Sequence, residues 1–130
     1  VAAAPILKKS ALEIISTGYI LIESGNETAV TRISKTTPMD RFNLELVVAT
    51  AQAGEMLGNK LIYLEAGSGA CQAVPLTMIN RVSQNIEIPL IVGGGIVSLK
   101  GIQQAYKAGA DLVVIGTAFE KDINFFNEKK

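Results

Sequence analysis

A short run, 60–65 (KLIYLE), and three glycine-rich stretches hold the residues that could do chemistry in this sequence. The stretches are Gly67-Ser68-Gly69, Gly93-Gly94-Gly95 and Gly116-Thr117. Main-chain N–H groups on glycine can grip an anion closely, because no side chain holds it off and left-handed backbone is open to them. Two such tips side by side, Gly94-Gly95 and Gly116-Thr117, suit a phosphate, with the Thr117 hydroxyl as a further donor. For one loop alone, a tight turn is the plainer reading. Three successive loops favour the anion site. No Lys or Arg falls within these loops, so the main chain would carry the binding. Glu65 is expected at a strand end, where burying a carboxylate is costly unless something binds it. Side chains alternate along a strand, so Tyr63 and Glu65 share one face while Ile62 and Leu64 share the other. An acid and a phenol beside an anion could orient an alcohol and accept its proton.

The remaining reactive side chains have blander readings. Glu23 precedes Gly25-Asn26 and reads as a solvated turn residue. Cys71 has no basic neighbour in sequence and reads as a small packing residue. Arg32 and Arg41 lie in a polar stretch where a solvated face is the default, with contact to an anion or partner as the alternative. Phe119, Phe125 and Phe126 fall near helical spacing and read as packing residues.

These residues need elements to position them. The pattern predicts helices over 5–13, 43–57, 75–85, 98–107 and 118–130. It predicts strands over 17–24, 60–65, 89–92 and 111–115, with a short edge strand possible over 30–33. Asn43 is a natural helix cap, and Gly58-Asn59 and Gly109 are natural stops. Strands of near-continuous Val, Ile and Leu alternating with helices imply βα units and a parallel sheet. A doubly wound sheet places its glycines mainly after the first strand. A (β/α)8 barrel builds its phosphate site from the loops after its last strands. The glycine distribution favours α/β of the second kind, the C-terminal half of a TIM barrel with about four βα units. The whole chain, 1–130, reads as one partial domain with no second domain. An isolated half would expose inner-face Leu, Val and Tyr.

Composition narrows the function classes. The 130 residues carry 12 basic and 12 acidic side chains, so the net charge is zero, which disfavours a basic nucleic-acid-binding face or a polybasic membrane anchor. With no His and one Cys, His-ligated metals, Ser-His pairs, an intrachain disulfide and Cys-cluster metal sites are excluded. No uncharged apolar run approaches the ~18–20 residues of a membrane span. A cytoplasmic enzyme fits these features. The opening Val-Ala-Ala-Ala-Pro, without an initiator Met, reads as a start within a longer protein.

Together, 63–70 (YLEAGSGA), Gly93-Gly94-Gly95-Ile96 and Gly116-Thr117-Ala118 closely resemble the geranylgeranylglyceryl phosphate synthase family, prenyltransferases related to the bacterial heptaprenylglyceryl phosphate synthases. The segments 18–23 (GYILIE), 37–41 (TPMDR) and 53–58 (AGEMLG) resemble its larger archaeal and Bacteroidetes-type branch, and the likeness runs over nearly the whole chain. The resemblance implies transfer of a polyprenyl group from its diphosphate to the C3 hydroxyl of sn-glycerol 1-phosphate, with Mg²⁺, on a modified TIM barrel. It implies a glycerol phosphate site at Tyr63, Leu64, Glu65, Ala66, Gly67, Ser68, Gly69, Gly94, Gly95, Gly116 and Thr117. Tyr63 and Glu65 would hold the glycerol hydroxyls, and Glu65 would accept the proton. None of the carboxylates present matches the family's metal motif, so the Mg²⁺ ligands are expected upstream of Val1. The family also implies homo-oligomers and peripheral contact with membrane. Two rival readings share the glycine loops: a phosphate-binding barrel of the tryptophan or histidine biosynthesis type, and a non-catalytic half-barrel that binds a phosphorylated ligand.

Overall fold

A computed structural model describes residues 3–26 and 36–127. The elements run α1 (Ala4–Lys9), β1 (Thr17–Leu21), α2 (Leu44–Met56), β2 (Leu61–Glu65), α3 (Leu76–Ser83), β3 (Leu90–Gly93), α4 (Leu99–Ala108), β4 (Leu112–Val114) and α5 (Thr117–Lys121). The edge strand expected over 30–33 and the residue Arg32 lie outside the described residues.

The four strands form one parallel sheet in the order β1-β2-β3-β4, each strand beside its sequence neighbour. Right-handed crossovers that keep stepping in one direction lay the three connecting helices, α2, α3 and α4, on the same face. A doubly wound sheet would reverse its strand order. The winding is that of a (β/α)8 barrel, of which this chain forms half.

Burial follows from that winding. Ile20, Ile62, Leu64, Leu90 and Val92 point to the helix side and pack with Val47, Ala51, Met78, Ile79 and Val82 into one core. On the other face, Tyr19, Leu112 and Val114 are 49%, 51% and 44% exposed. This is the bare inner surface expected of half a barrel.

Local chemistry sets the element ends. Asn43 Oδ1 accepts from Leu46 N at 3.2 Å and Ser98 Oγ accepts from Gly101 N at 3.1 Å, which starts α2 and α4. At the strand N-termini, Glu55 Oε1 accepts from Glu87 N and Ile88 N, at 2.8 and 3.1 Å. There too, Asp111 Oδ2 accepts from Leu90 N at 2.8 Å. Two expected helices are shorter than their patterns. α1 stops at Lys9 because the Ser10 hydroxyl turns back to Leu7 O at 2.7 Å. The helix expected over 118–130 ends at Lys121: Asp122 is extended, its carboxylate accepts from Asn124 N, and Asn124 accepts in turn from the Asn127 amide. Such short polar side chains offer the backbone an alternative to helix.

Candidate functional site

The glycine tips after β2, β3 and β4 meet at one edge of the sheet. A cavity of about 150 Å³ lies between them, lined by Gly69, Ala70, Gly94, Gly95, Ile96, Val97, Val114, Gly116, Thr117, Ala118 and Lys121. Five of the expected site residues (Gly69, Gly94, Gly95, Gly116 and Thr117) therefore share a single wall. Ser68 joins them through its hydroxyl, 3.3 Å from the Thr117 hydroxyl.

Glu65 stands at the inner end of this edge, 7% exposed. Its Oε1 accepts from Gly67 N at 2.6 Å. Tyr63 lies one alternation back on the same face, its hydroxyl beside the Glu65 carboxylate at Gly93. Burial first, then the proximity and charge of Glu65, push the Tyr63 phenol far above its ordinary range. Tyr63 thus stays protonated and acts as a donor. Tyr19, its register partner on β1, packs edge-on with ring centroids 5.1 Å apart. Burial, and next the Glu65 charge, push the Tyr19 phenol up to about 12.

Glycine is required where the two parts meet. At Gly94, with φ +82°, a Cβ would lie 2.5 Å from Gly67 N and 2.6 Å from Glu65 Oε1. At Gly93 a Cβ would press on the Tyr63 hydroxyl and come within 3.0 Å of Glu65 Oε2. Gly94 therefore lines the cavity and touches the carboxylate at once, coupling an anion pocket to an acid.

Leu64 and Ala66 enter the site only as backbone, since their side chains are buried in the helix-side core. Arg41 is not a solvated residue: its guanidinium donates to Glu23 O at 3.0 Å and Ala73 O at 3.1 Å. Cys71 is not a packing residue, for it is exposed in the loop after β2. Glu23 is exposed as expected, with its main chain bridged to Met39 and Arg41. Phe119, Phe125 and Phe126 pack on one another, yet Phe119 and Phe126 stay well exposed.

Sequence reasoning missed two participants. Lys121 supplies a cation at the cavity that a search confined to the loops overlooked. Its signal was the spacing from Thr117, since residues four apart share a helix face. Gly93 belongs to the glycine stretch but not to the expected site residues, although alternation from Ile91 aims its missing side chain at Tyr63.

The PcrB family pattern matches residues 2–129. A geranylgeranylglyceryl phosphate synthase of Flavobacterium johnsoniae is 74% identical over 127 residues, covering 98% of this chain and 52% of the relative. The synthase of Pyrococcus furiosus is 48% identical over 114 residues, covering 88% of this chain and 45% of the relative. Among solved structures, the (S)-3-O-geranylgeranylglyceryl phosphate synthase from Thermoplasma acidophilum, in complex with its substrate sn-glycerol-1-phosphate, aligns with a TM-score of 0.88 at 34% identity. That alignment covers 96% of this chain and 50% of the other. The chain spans about half the length of the curated relatives it matches.

Proposed function

The chain belongs to the PcrB family, and from that premise we propose that the protein transfers a geranylgeranyl-type polyprenyl group from its diphosphate to the C3 hydroxyl of sn-glycerol 1-phosphate. The observation that carries this reading is the single edge at which the Gly94-Gly95 and Gly116-Thr117 tips and Glu65 meet. The phosphate rests on the main chain of Gly94, Gly95, Gly116 and Thr117, with Lys121 at the rim. Tyr63 and Glu65 hold the glycerol hydroxyls. The structure of the Thermoplasma relative with sn-glycerol-1-phosphate supports the choice of acceptor.

The chemistry suits these groups. The glycerol C3 oxygen forms a bond to the allylic carbon while the bond from that carbon to the diphosphate oxygen breaks, and the diphosphate leaves with the electron pair. The hydroxyl proton passes to Glu65, the acceptor left once Tyr63 is fixed as a donor. The carboxylate also lies where positive charge develops on the allylic carbon. Holding the hydroxyl in place is the main contribution of the chain. The Mg²⁺ implied by the family would neutralise the leaving diphosphate. Among the described residues there is no group of three or more His, Cys, Asp or Glu that could hold a metal ion. One or two carboxylates together with the diphosphate itself suffice to hold Mg²⁺, and none of the residues named here is assigned to it.

The same reading takes the chain as one partial barrel domain of a cytoplasmic homo-oligomer that meets polyprenyl diphosphate and touches membranes peripherally. None of the described helices is long and apolar enough to cross a membrane. Calorimetry with sn-glycerol 1-phosphate and its sn-3 enantiomer tests the assignment. The synthase reading expects clear preference for the former. Equal affinity would leave only a general phosphate-binding barrel.

A further inference from the structure

The loop after β2 gives Gly69 and Ala70 to the cavity, yet within residues 66–75 the main chain makes a single internal bond, Ala70 N to Gly67 O at 3.1 Å. Something outside the loop must hold its shape. On one side stand the β3 glycines: a Cβ at Gly95 would lie 2.8 Å from Ala73 N, and one at Gly94 2.5 Å from Gly67 N. On the other side stand two side chains from the region after β1. Asn26 Oδ1 accepts from Cys71 N at 3.0 Å and its amide donates to Gly69 O at 3.4 Å, bracketing Ala70. The buried Ser24 hydroxyl backs the same Oδ1 at 3.4 Å. Arg41 spans the loop's exit, with Nη1 on Glu23 O at 3.0 Å and Nη2 on Ala73 O at 3.1 Å. Neither Asn26 nor Arg41 lines the cavity.

We propose that Asn26 and Arg41 are positioning residues for the anion site: they press the β2–α3 loop against the β3 glycines and so fix where Gly69 and Ala70 meet the bound phosphate. The proposal rests on the acceptor reading above. Each residue fits the task by its chemistry. An Asn amide offers a donor and an acceptor a short distance apart, which matches a carbonyl and an N–H two residues on. A guanidinium presents its donors in a rigid fork that reaches two carbonyls at once, whereas an ammonium on a flexible stem does not hold both in one geometry. With two of its donors engaged by main-chain carbonyls, Arg41 acts on the phosphate through the loop.

The test uses the natural protein carrying this segment, as N26A, N26D, R41A and R41K variants. Three readouts are needed: affinity for sn-glycerol 1-phosphate by calorimetry, steady-state constants for both substrates, and amide hydrogen exchange across residues 67–73. N26A and R41A should each weaken glycerol phosphate binding about tenfold, the scale of one lost hydrogen-bond anchor. The turnover number at saturating acceptor should change less than about twofold, since only ground-state placement is lost. The 67–73 amides should exchange about tenfold faster. R41K should behave as R41A rather than as wild type. N26D keeps the acceptor for Cys71 N, loses the donor to Gly69 O, and should fall between. Unchanged affinity and exchange in folded N26A and R41A would overturn the proposal. A raised KM for the polyprenyl diphosphate alone in R41A would also overturn it, by making Arg41 a direct contact of that substrate. Should R41A fail to fold, N26A, at an exposed residue, decides alone. If the unaltered protein binds no glycerol phosphate, the acceptor reading fails, and the exchange readout still judges the clamp.

Discussion

Alanine at Gly94 tests the junction between the anion pocket and the acid. Its Cβ would stand 2.5 Å from Gly67 N and 2.6 Å from Glu65 Oε1, where ordinary contact begins at 3.4 Å. The loop must recede by roughly 1 Å to restore van der Waals distance. That shift carries the 2.6 Å bond from Gly67 N to Glu65 past the ~3.2 Å limit of good N–H···O geometry. Losing a hydrogen bond to a charged acceptor costs about 1.5–3 kcal/mol, the more so because Glu65 is buried. Alanine in the left-handed region, where φ is +82°, adds about 1–2 kcal/mol. Together the substitution should destabilise by about 3–5 kcal/mol. Urea unfolding read by linear extrapolation measures it. Gly58→Ala is the control: nothing lies within 4 Å of its Cβ, so at φ +88° it meets only the left-handed cost of about 1–2 kcal/mol. A Gly94→Ala protein within about 1 kcal/mol of wild type, or one no less stable than Gly58→Ala, would refute the close approach of β3 to the loop.

Glu65→Gln should lower prenyl transfer ~10²-fold or more with the melting transition retained; near wild-type turnover would remove Glu65 as proton acceptor. Gly93→Ala, at ordinary strand dihedrals, should push the Tyr63 hydroxyl off the carboxylate, and tyrosinate titration should then find Tyr63 ionising at lower pH than in wild type. In the unaltered protein Tyr19 ionises at about 12 against an ordinary 10.0, and Tyr63 higher still. Between those values the folded form holds more protons than the unfolded one, so stability is full below pH 10 and declines as pH rises through 12. Alkaline melting curves check the sign, and stability that rises over that window would contradict it. Lys121→Gln should weaken binding of sn-glycerol 1-phosphate about tenfold at low salt, with the gap closing as screening increases; equal affinities at low salt would remove the ammonium from the site.

What was legible in the sequence was local. Runs such as 61–65 and 90–92 sit between glycines and polar caps, and alternation alone put Tyr63 with Glu65 and Leu64 with the core. Asn43, Gly58 and Gly109 mark helix ends because a cap acts within one turn. The misplaced features depend on contacts that sequence spacing does not disclose. Asn26 meets Gly69 and Cys71 across 43 and 45 residues, and Arg41 meets Ala73 across 32. The last helix failed because apolar spacing at Phe119 and Phe126 outweighed Asp122 and Asn124, whose side chains close turns instead. Cys71 reads as a packing residue because no basic neighbour accompanies it, while the loop that carries it is turned outward and pinned by its N–H.

On the helix side, Leu64, Ala66 and Val74 are buried and close the approach to Glu65. Its Oε1 is taken by Gly67 N, while Oε2 lies beside Gly93, whose missing side chain leaves that oxygen and the Tyr63 hydroxyl facing the inner surface of the sheet. That surface carries Tyr19, Leu112 and Val114, all well exposed among the described residues. The chain spans about half the length of its relatives, so the other half of the barrel sets what meets this face. Val114 faces both the inner surface and the cavity, so charging it should weaken sn-glycerol 1-phosphate binding in the proposed site, and unchanged affinity would remove β4 from the pocket wall.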